Sequence, residues 1–105
     1  MTRYKVGFLI PSGAVKTLGD DGWEFESDKT LPSEVEALLK DSLLSTSSSS
    51  DHASYEGENI KADVFKDKYG EIVNVYFRFY SEESPSLPRF LEGHEVLENV
   101  EFFKP

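Results

Sequence analysis

Two side chains in this sequence, His52 and His94, have the chemistry to act as bases near neutral pH, and there is no cysteine to serve as a thiol nucleophile. His52 adjoins the tract Ser45-Thr46-Ser47-Ser48-Ser49-Ser50, a neighbourhood that suggests a hydroxyl nucleophile beside an imidazole base. Catalysis by such a set needs each group held rigidly by packed partners. The tract has no apolar residue to pack with, so His52 reads as a solvated loop residue. His94 stands between apolar and acidic neighbours and reads as a surface or half-buried structural group. The chain has no Gly-x-Ser-x-Gly elbow, no phosphate-binding Gly-rich loop and no Gly-x-Gly-x-x-Gly. No catalytic residue is therefore assigned.

Metal chemistry is as poorly supplied. A structural zinc site takes four Cys or His ligands, and two histidines cannot provide them. Asp20-Asp21-Gly22-Trp23-Glu24-Phe25-Glu26 gathers carboxylates but lacks the alternating acids ahead of a central glycine that shape a calcium loop. It reads as an acidic turn. Neither a metal nor a cofactor is expected.

Two groups of residues suit recognition. Glu92, Glu95, Glu98 and Glu101 recur every three residues, with Glu82 and Glu83 ahead of them. On a helix, Glu92, Glu95 and Glu98 would form an acidic ridge. The second group is the row Tyr76, Arg78 and Tyr80, matched on the preceding strand by Lys61, Asp63 and Phe65. Tyrosine and arginine are enriched where protein interfaces concentrate their binding energy. Either this row faces solvent, or the tyrosines pack against the C-terminal segment as a second layer.

The elements that must position these groups follow from hydrophobic periodicity. Ile60, Ala62 and Val64 alternate with polar neighbours. A charged break follows at Lys66-Asp67-Lys68-Tyr69-Gly70, after which Val73, Val75, Phe77 and Phe79 alternate with Asn74, Tyr76, Arg78 and Tyr80. Period two places one row in a core and the other away from it, so residues 59–81 predict an antiparallel hairpin. Tyr4, Val6, Phe8 and Ile10 predict a strand over residues 3–10, ended by Pro11-Ser12-Gly13. Asp20-Asp21-Gly22 signals a turn that would pair residues 15–18 with 23–27.

Leu31-Pro32-Ser33-Glu34-Val35-Glu36 opens a helix over 31–44, with Ser33 and Glu36 spaced as a capping box and Thr30 as an alternative cap. Val35, Leu38, Leu39, Leu43 and Leu44 supply its apolar side. Residues 45–57 read as a flexible Ser-rich loop. Ser86 would cap a short second helix carrying Phe90, Leu91, His94 and Leu97, and Val100, Phe102 and Phe103 would close the sheet.

The chain of 105 residues is thus expected to be a single α+β domain, spanning 1–105. It would have one antiparallel-dominated sheet with the 31–44 helix packed on one face. The order strand, helix, two strands, helix, strand would match a ferredoxin-like split βαβ arrangement.

Charge narrows the partners. Twenty acids face eleven bases, for a net −9, and residues 1–19 hold Arg3, Lys5 and Lys16 without any acid. A field of this sign repels phosphate backbones, so nucleic acid is not an expected partner. The apolar stretch after Arg3 and Lys5 ends at Pro11, too short for a signal sequence, and no run reaches the ~20 residues of a membrane span. No membrane association is expected; the absence of cysteine fits a reducing compartment, and a cytoplasmic location is the expectation.

The profile suits a non-catalytic, stoichiometric inhibitor of a protein with a basic surface, as bacterial immunity proteins and antitoxins are. Its partner-binding residues would be Glu92, Glu95, Glu98, Tyr76, Arg78 and Tyr80. The other class consistent with the sequence is a small-molecule-sensing or enzymatic α+β domain with its site on the sheet face.

Overall fold

The computed structural model describes residues 4–80, 88–93 and 98–105. Its strands are β1 (Lys5–Pro11), β2 (Val15–Gly19), β3 (Gly22–Glu26), β4 (Leu44–Ser48), β5 (His52–Gly57), β6 (Ile60–Lys66), β7 (Ile72–Phe79) and β8 (Val100–Phe103). Helix α1 (Glu34–Ser42) lies between β3 and β4, and a 3-10 turn spans Arg89–Leu91. The architecture is α+β. Six strands form one sheet in the order β4-β5-β6-β7-β1-β8, antiparallel throughout, and β2 and β3 form a separate two-stranded sheet. No helix among the described residues is long and apolar enough to cross a membrane.

The predicted hairpin is β6–β7, with Ala62 opposite Phe77 and Val64 opposite Val75. All four are buried. Its turn is held by the Asp67 carboxylate, which accepts the amides of Tyr69 (2.9 Å) and Glu71 (3.0 Å), while Gly70 supplies a left-handed φ of 79°. The alternation fails at one end. A bulge takes the pairing from Phe65↔Asn74 to Lys66↔Ile72, so Ile72 is buried and Val73 is left half-buried.

Cross-strand partners share a face, and this rule separates two rows that read alike in sequence. Leu9 is opposite Val75 and Phe102, whereas Phe8 is opposite Tyr76 and Phe103. The face of Leu9 joins a buried cluster with Tyr55, Ala62, Val64, Val75, Phe77, Leu31 and Leu91, to which α1 contributes Val35 and Leu39. The alternating row Val6, Phe8 and Ile10 lies on the other face, in a second cluster with Ala14, Trp23, Phe25, Tyr76 and Phe103. Gly7 lies against the Phe102 ring, and a β-carbon there would collide with it.

The expectation of one sheet is thus corrected: β2–β3 stands apart and covers part of the second face. The pairing of these two strands agrees with the sequence reading, from Val15↔Glu26 to Gly19↔Gly22.

The helix is shorter at both ends than residues 31–44. Leu31 instead donates its amide to the Ile72 carbonyl (2.8 Å) as an isolated bridge, and Leu43 is already extended. No side-chain capping bond forms at Ser33. Glu36 serves a tertiary contact: its carboxylate accepts the Tyr55 hydroxyl at 2.6 Å and pairs with Lys66 Nζ at 2.9 Å. Burial opposes ionisation of Glu36, but the bonds from Tyr55 and Lys66 outweigh it and hold the pKa below its ordinary 4.5. Burial, and then the Glu36 carboxylate, push Tyr55 well above its ordinary 10.0.

Linkage gives both signs. The Glu36 contribution to stability is complete above pH 4.5 and is lost as pH falls through the lowered pKa; that of Tyr55 is complete below pH 10.0 and is lost as pH rises beyond it. Tyr55→Phe is expected to cost about 1–2 kcal/mol at neutral pH. It should also reduce the alkaline loss, leaving the share that Tyr76 contributes, with urea denaturation from pH 3 to 11 as the measurement.

The loop predicted over 45–57 is replaced by β4 and β5, paired from Leu44↔Glu56 to Ser48↔Ala53 with a bulge between Ser45 and Ser47. Every residue of β4 is exposed, Leu44 at 77%. An edge strand held by backbone hydrogen bonds buries no side chain and so leaves no periodic signature, and a bulged serine edge resists further pairing. β5 does bury Ala53 and Tyr55.

Among the described residues the expected second helix appears as the turn Arg89–Leu91, after which Glu92 is extended and Gly93 has φ 80°. Ser86, His94, Glu95 and Leu97 lie outside the described residues. The closing strand forms as expected, as β8.

Candidate functional site

The chemistry-bearing side chains converge on the sheet face that carries Phe8. Lys61, Asp63 and Phe65 of β6 lie beside Arg78, Tyr76 and Asn74 of β7, respectively. On the other flank, β5 brings Glu56, Ser54 and His52 opposite the same three β6 residues. Asp63 is the centre. Although 8% exposed, it accepts from Ser54 Oγ at 2.6 Å and Arg78 Nη2 at 3.1 Å, and lies 3.0 Å from His52 Nε2. His52 is stacked on Phe65, with ring centroids 4.9 Å apart and planes 15° apart. The histidine expected in a solvated loop is instead half-buried on a strand, held by a ring and a carboxylate.

Serine, histidine and aspartate thus meet, but not as a nucleophilic relay. A relay sets the acid on one imidazole nitrogen and the hydroxyl on the other. Here Nε2 faces both Asp63 Oδ1 (3.0 Å) and Ser54 Oγ (3.4 Å), and the hydroxyl proton goes to Asp63. The carboxylate's two oxygens are both taken, so the group orders the sheet face. Among the described residues, no three His, Asp or Glu side chains lie close enough to hold a metal ion.

The tyrosine row lies around this centre. The Arg78 guanidinium sits 5.9 Å from the rings of Tyr4 and Tyr76, and its buried Nε has no hydrogen-bond partner. Tyr80 contacts Tyr4 (5.7 Å between centroids) and the Lys61 ammonium (5.8 Å). Tyr76, at 5.1 Å from Phe8, belongs to the second cluster; burial, then Tyr4, raise its pKa. Tyr76 and Tyr80 are both half-buried, and the closing strand of the C-terminal segment joins the same sheet as β8 rather than lying over the row as a second layer. The covering layer is mainly the β2–β3 hairpin, whose Trp23 and Phe25 pack on Phe103, and Phe25 also on Phe8.

The segment that would carry the acidic ridge lies partly outside the described residues, and the described helical turn stops before Glu92. Glu92 and Glu98 are exposed, Glu95 is outside the described residues, and Glu101 accepts Lys16 Nζ at 3.2 Å and the Gly13 amide at 3.3 Å. The exposed acids that sequence reasoning passed over as a turn, Asp20, Asp21, Glu24 and Glu26, share the β2–β3 hairpin. His52 reads as solvated and Ser54 goes unremarked when their strand is taken for loop, whereas the shared face of Asp63 and Arg78 is visible in the alternation. Comparisons with family models, curated proteins and solved structures find no match for this chain.

Proposed function

We propose that this chain is a non-catalytic binding protein that holds a basic protein partner stoichiometrically, as inhibitors of the immunity-protein or antitoxin kind do. The observation that carries this reading is the β2–β3 hairpin. Its inner side is anchored by Trp23 and Phe25, and its four acids are exposed. The hairpin's one lysine, Lys16, is occupied by Glu101. In a chain of net −9, this concentrates negative charge on a hairpin whose Trp23 and Phe25 line a cleft together with Tyr76. Tyr76, Arg78 and Tyr80 supply ring and guanidinium surface at the edge of that field, and Glu92 and Glu98 add to it.

The enzymatic alternative is disfavoured by the Asp63 centre, whose hydrogen-bonding capacity is spent internally. The strand order β6-β7-β1-β8, with α1 between β1 and the β6–β7 hairpin, supports a ferredoxin-like reading of those four strands, with α1 on one face and β4–β5 added at an edge. The cysteine-free composition supports a cytoplasmic location.

The test is affinity capture from the native host, followed by association kinetics with the recovered partner. A basic partner bound one to one is expected. Reversing Asp20, Glu24 and Glu26 to lysine should slow association about tenfold or more at low salt, with the difference shrinking toward 0.15 M, where the screening length is ~8 Å. Reversal of Glu92 and Glu98 forms the second arm. An acidic partner, unchanged association in both arms, or substrate turnover by the purified protein would overturn the proposal.

A further inference from the structure

The hairpin leaves a space beneath it. A cleft of about 500 Å³ lies between its inner side and the sheet, bounded by the rings of Phe8, Trp23, Phe25, Phe65 and Tyr76 and by Asp21 of the hairpin turn. Clefts of ~300–1,000 Å³ are the usual size for specific occupants.

Three properties define what this one takes. Its rings are held in place by their neighbours: Phe8 is 4.9 Å from Phe25 and 5.1 Å from Tyr76, and Phe65 is backed by the His52 imidazole. Phe65 nevertheless remains 38% exposed, an aromatic surface still in contact with water. Among the described residues, Asp21 is the only charged one lining the space, and it makes no ion pair. Arg78, beside the cleft's Tyr76, is engaged by Asp63.

Aromatic faces carry negative potential, so several rings around a cleft attract a cation, and an unpaired carboxylate at the same cleft reinforces that choice. A purely apolar occupant would gain the ring contacts but would desolvate Asp21 without return. An anion would meet repulsion from both. We propose that this cleft binds one basic side chain, a lysine ammonium or an arginine guanidinium, presented by a protein partner. The proposal rests on the partner being basic, as inferred above, and names the anchor by which it is held. The volume admits one such side chain together with the backbone that carries it.

The probe is N-acetyl-lysine methylamide, with the norleucine analogue as its uncharged counterpart and the arginine analogue in a parallel titration. Trp23, the only tryptophan, reports by fluorescence, and amide and aromatic NMR shifts locate the contact. Saturable shifts at Trp23, Phe65 and Tyr76 are expected with lysine or arginine, with norleucine weaker by about threefold or more. Asp21→Asn, an exposed turn substitution whose folded state is read from the same spectra, should weaken the cationic probes about threefold and leave norleucine unchanged.

Equal binding of norleucine, or no saturable shift with any probe, would overturn the proposal. The two inferences fail separately. A recovered basic partner that ignores both Asp21→Asn and Phe65→Ala removes the cleft and spares the functional reading. Saturable, charge-selective lysine binding beside a recovered acidic partner removes that reading and upholds the cleft's selectivity.

Discussion

Phe77→Ala is expected to lower the free energy of unfolding by about 3–5 kcal/mol, the cost of truncating a large buried ring. Phe77 has no exposed surface and lies in the middle of β7, opposite Ala62 on one side and Gly7 on the other. Neither neighbour has a side chain able to swing into the space. The rings of Phe79 and Phe102, with centroids 5.9 and 6.2 Å away, border the site but are tied to their own strands. The cavity would therefore persist, and the cavity penalty adds to the lost transfer energy. A loss of this size is a large share of the ~5–15 kcal/mol available to a domain. Denaturant unfolding measures it, with Phe79→Ala as the internal comparison: Phe79 is half-buried and should cost clearly less. A loss at Phe77 below about 1 kcal/mol would mean that the ring does not occupy the core.

Asp63→Ala should cost about 2–3 kcal/mol, less than the 3–5 of a wholly buried ion pair because Arg78 and His52 keep some contact with water. The physical loss is an acceptor shared by three donors. Without it, the Arg78 guanidinium is left beside Tyr4 and Tyr76 with Nη2 unpaired as well as Nε, and the Ser54 hydroxyl loses its 2.6 Å partner.

Asp63→Asn preserves shape and one carbonyl acceptor and should cost less. Combining Asp63→Ala with Arg78→Met should cost less than the sum of the single changes by about 1 kcal/mol or more, because the second change removes the stranded charge. Additivity in that cycle would show that the pair contributes nothing beyond its separate packing. A change at Asp63 within 0.5 kcal/mol of zero, the range of ordinary surface positions, would remove the carboxylate from its central place on the sheet face.

The strands β1, β3, β6 and β7 were legible in the sequence because apolar and polar residues alternate along most of their length, β2 through the turn signal that pairs it with β3, and β8 through its apolar residues Val100, Phe102 and Phe103. The charge excess and the absence of thiol chemistry were also legible, being sums over residues. Tertiary structure decided what depends on partners distant in the chain.

Which face Val6, Phe8 and Ile10 occupy is a matter of register with β7: a shift of one residue would have put that row with Phe77 instead of Tyr76. The bulge that buries Ile72 in place of Val73 arises from pairing with β6. Glu36, spaced for a cap, is drawn to Tyr55 and Lys66 because two tertiary donors compete with the local amide. Strand β4 consists of exposed residues whose order comes from the backbone of β5, so its serines could not announce it. His52 and Ser54 reach Asp63 through that same pairing of β5 with β6. Composition and periodicity determine which segments can bury a side; only the assembled sheet determines which chemical groups then meet, since hydrogen-bond register carries information that no single strand contains.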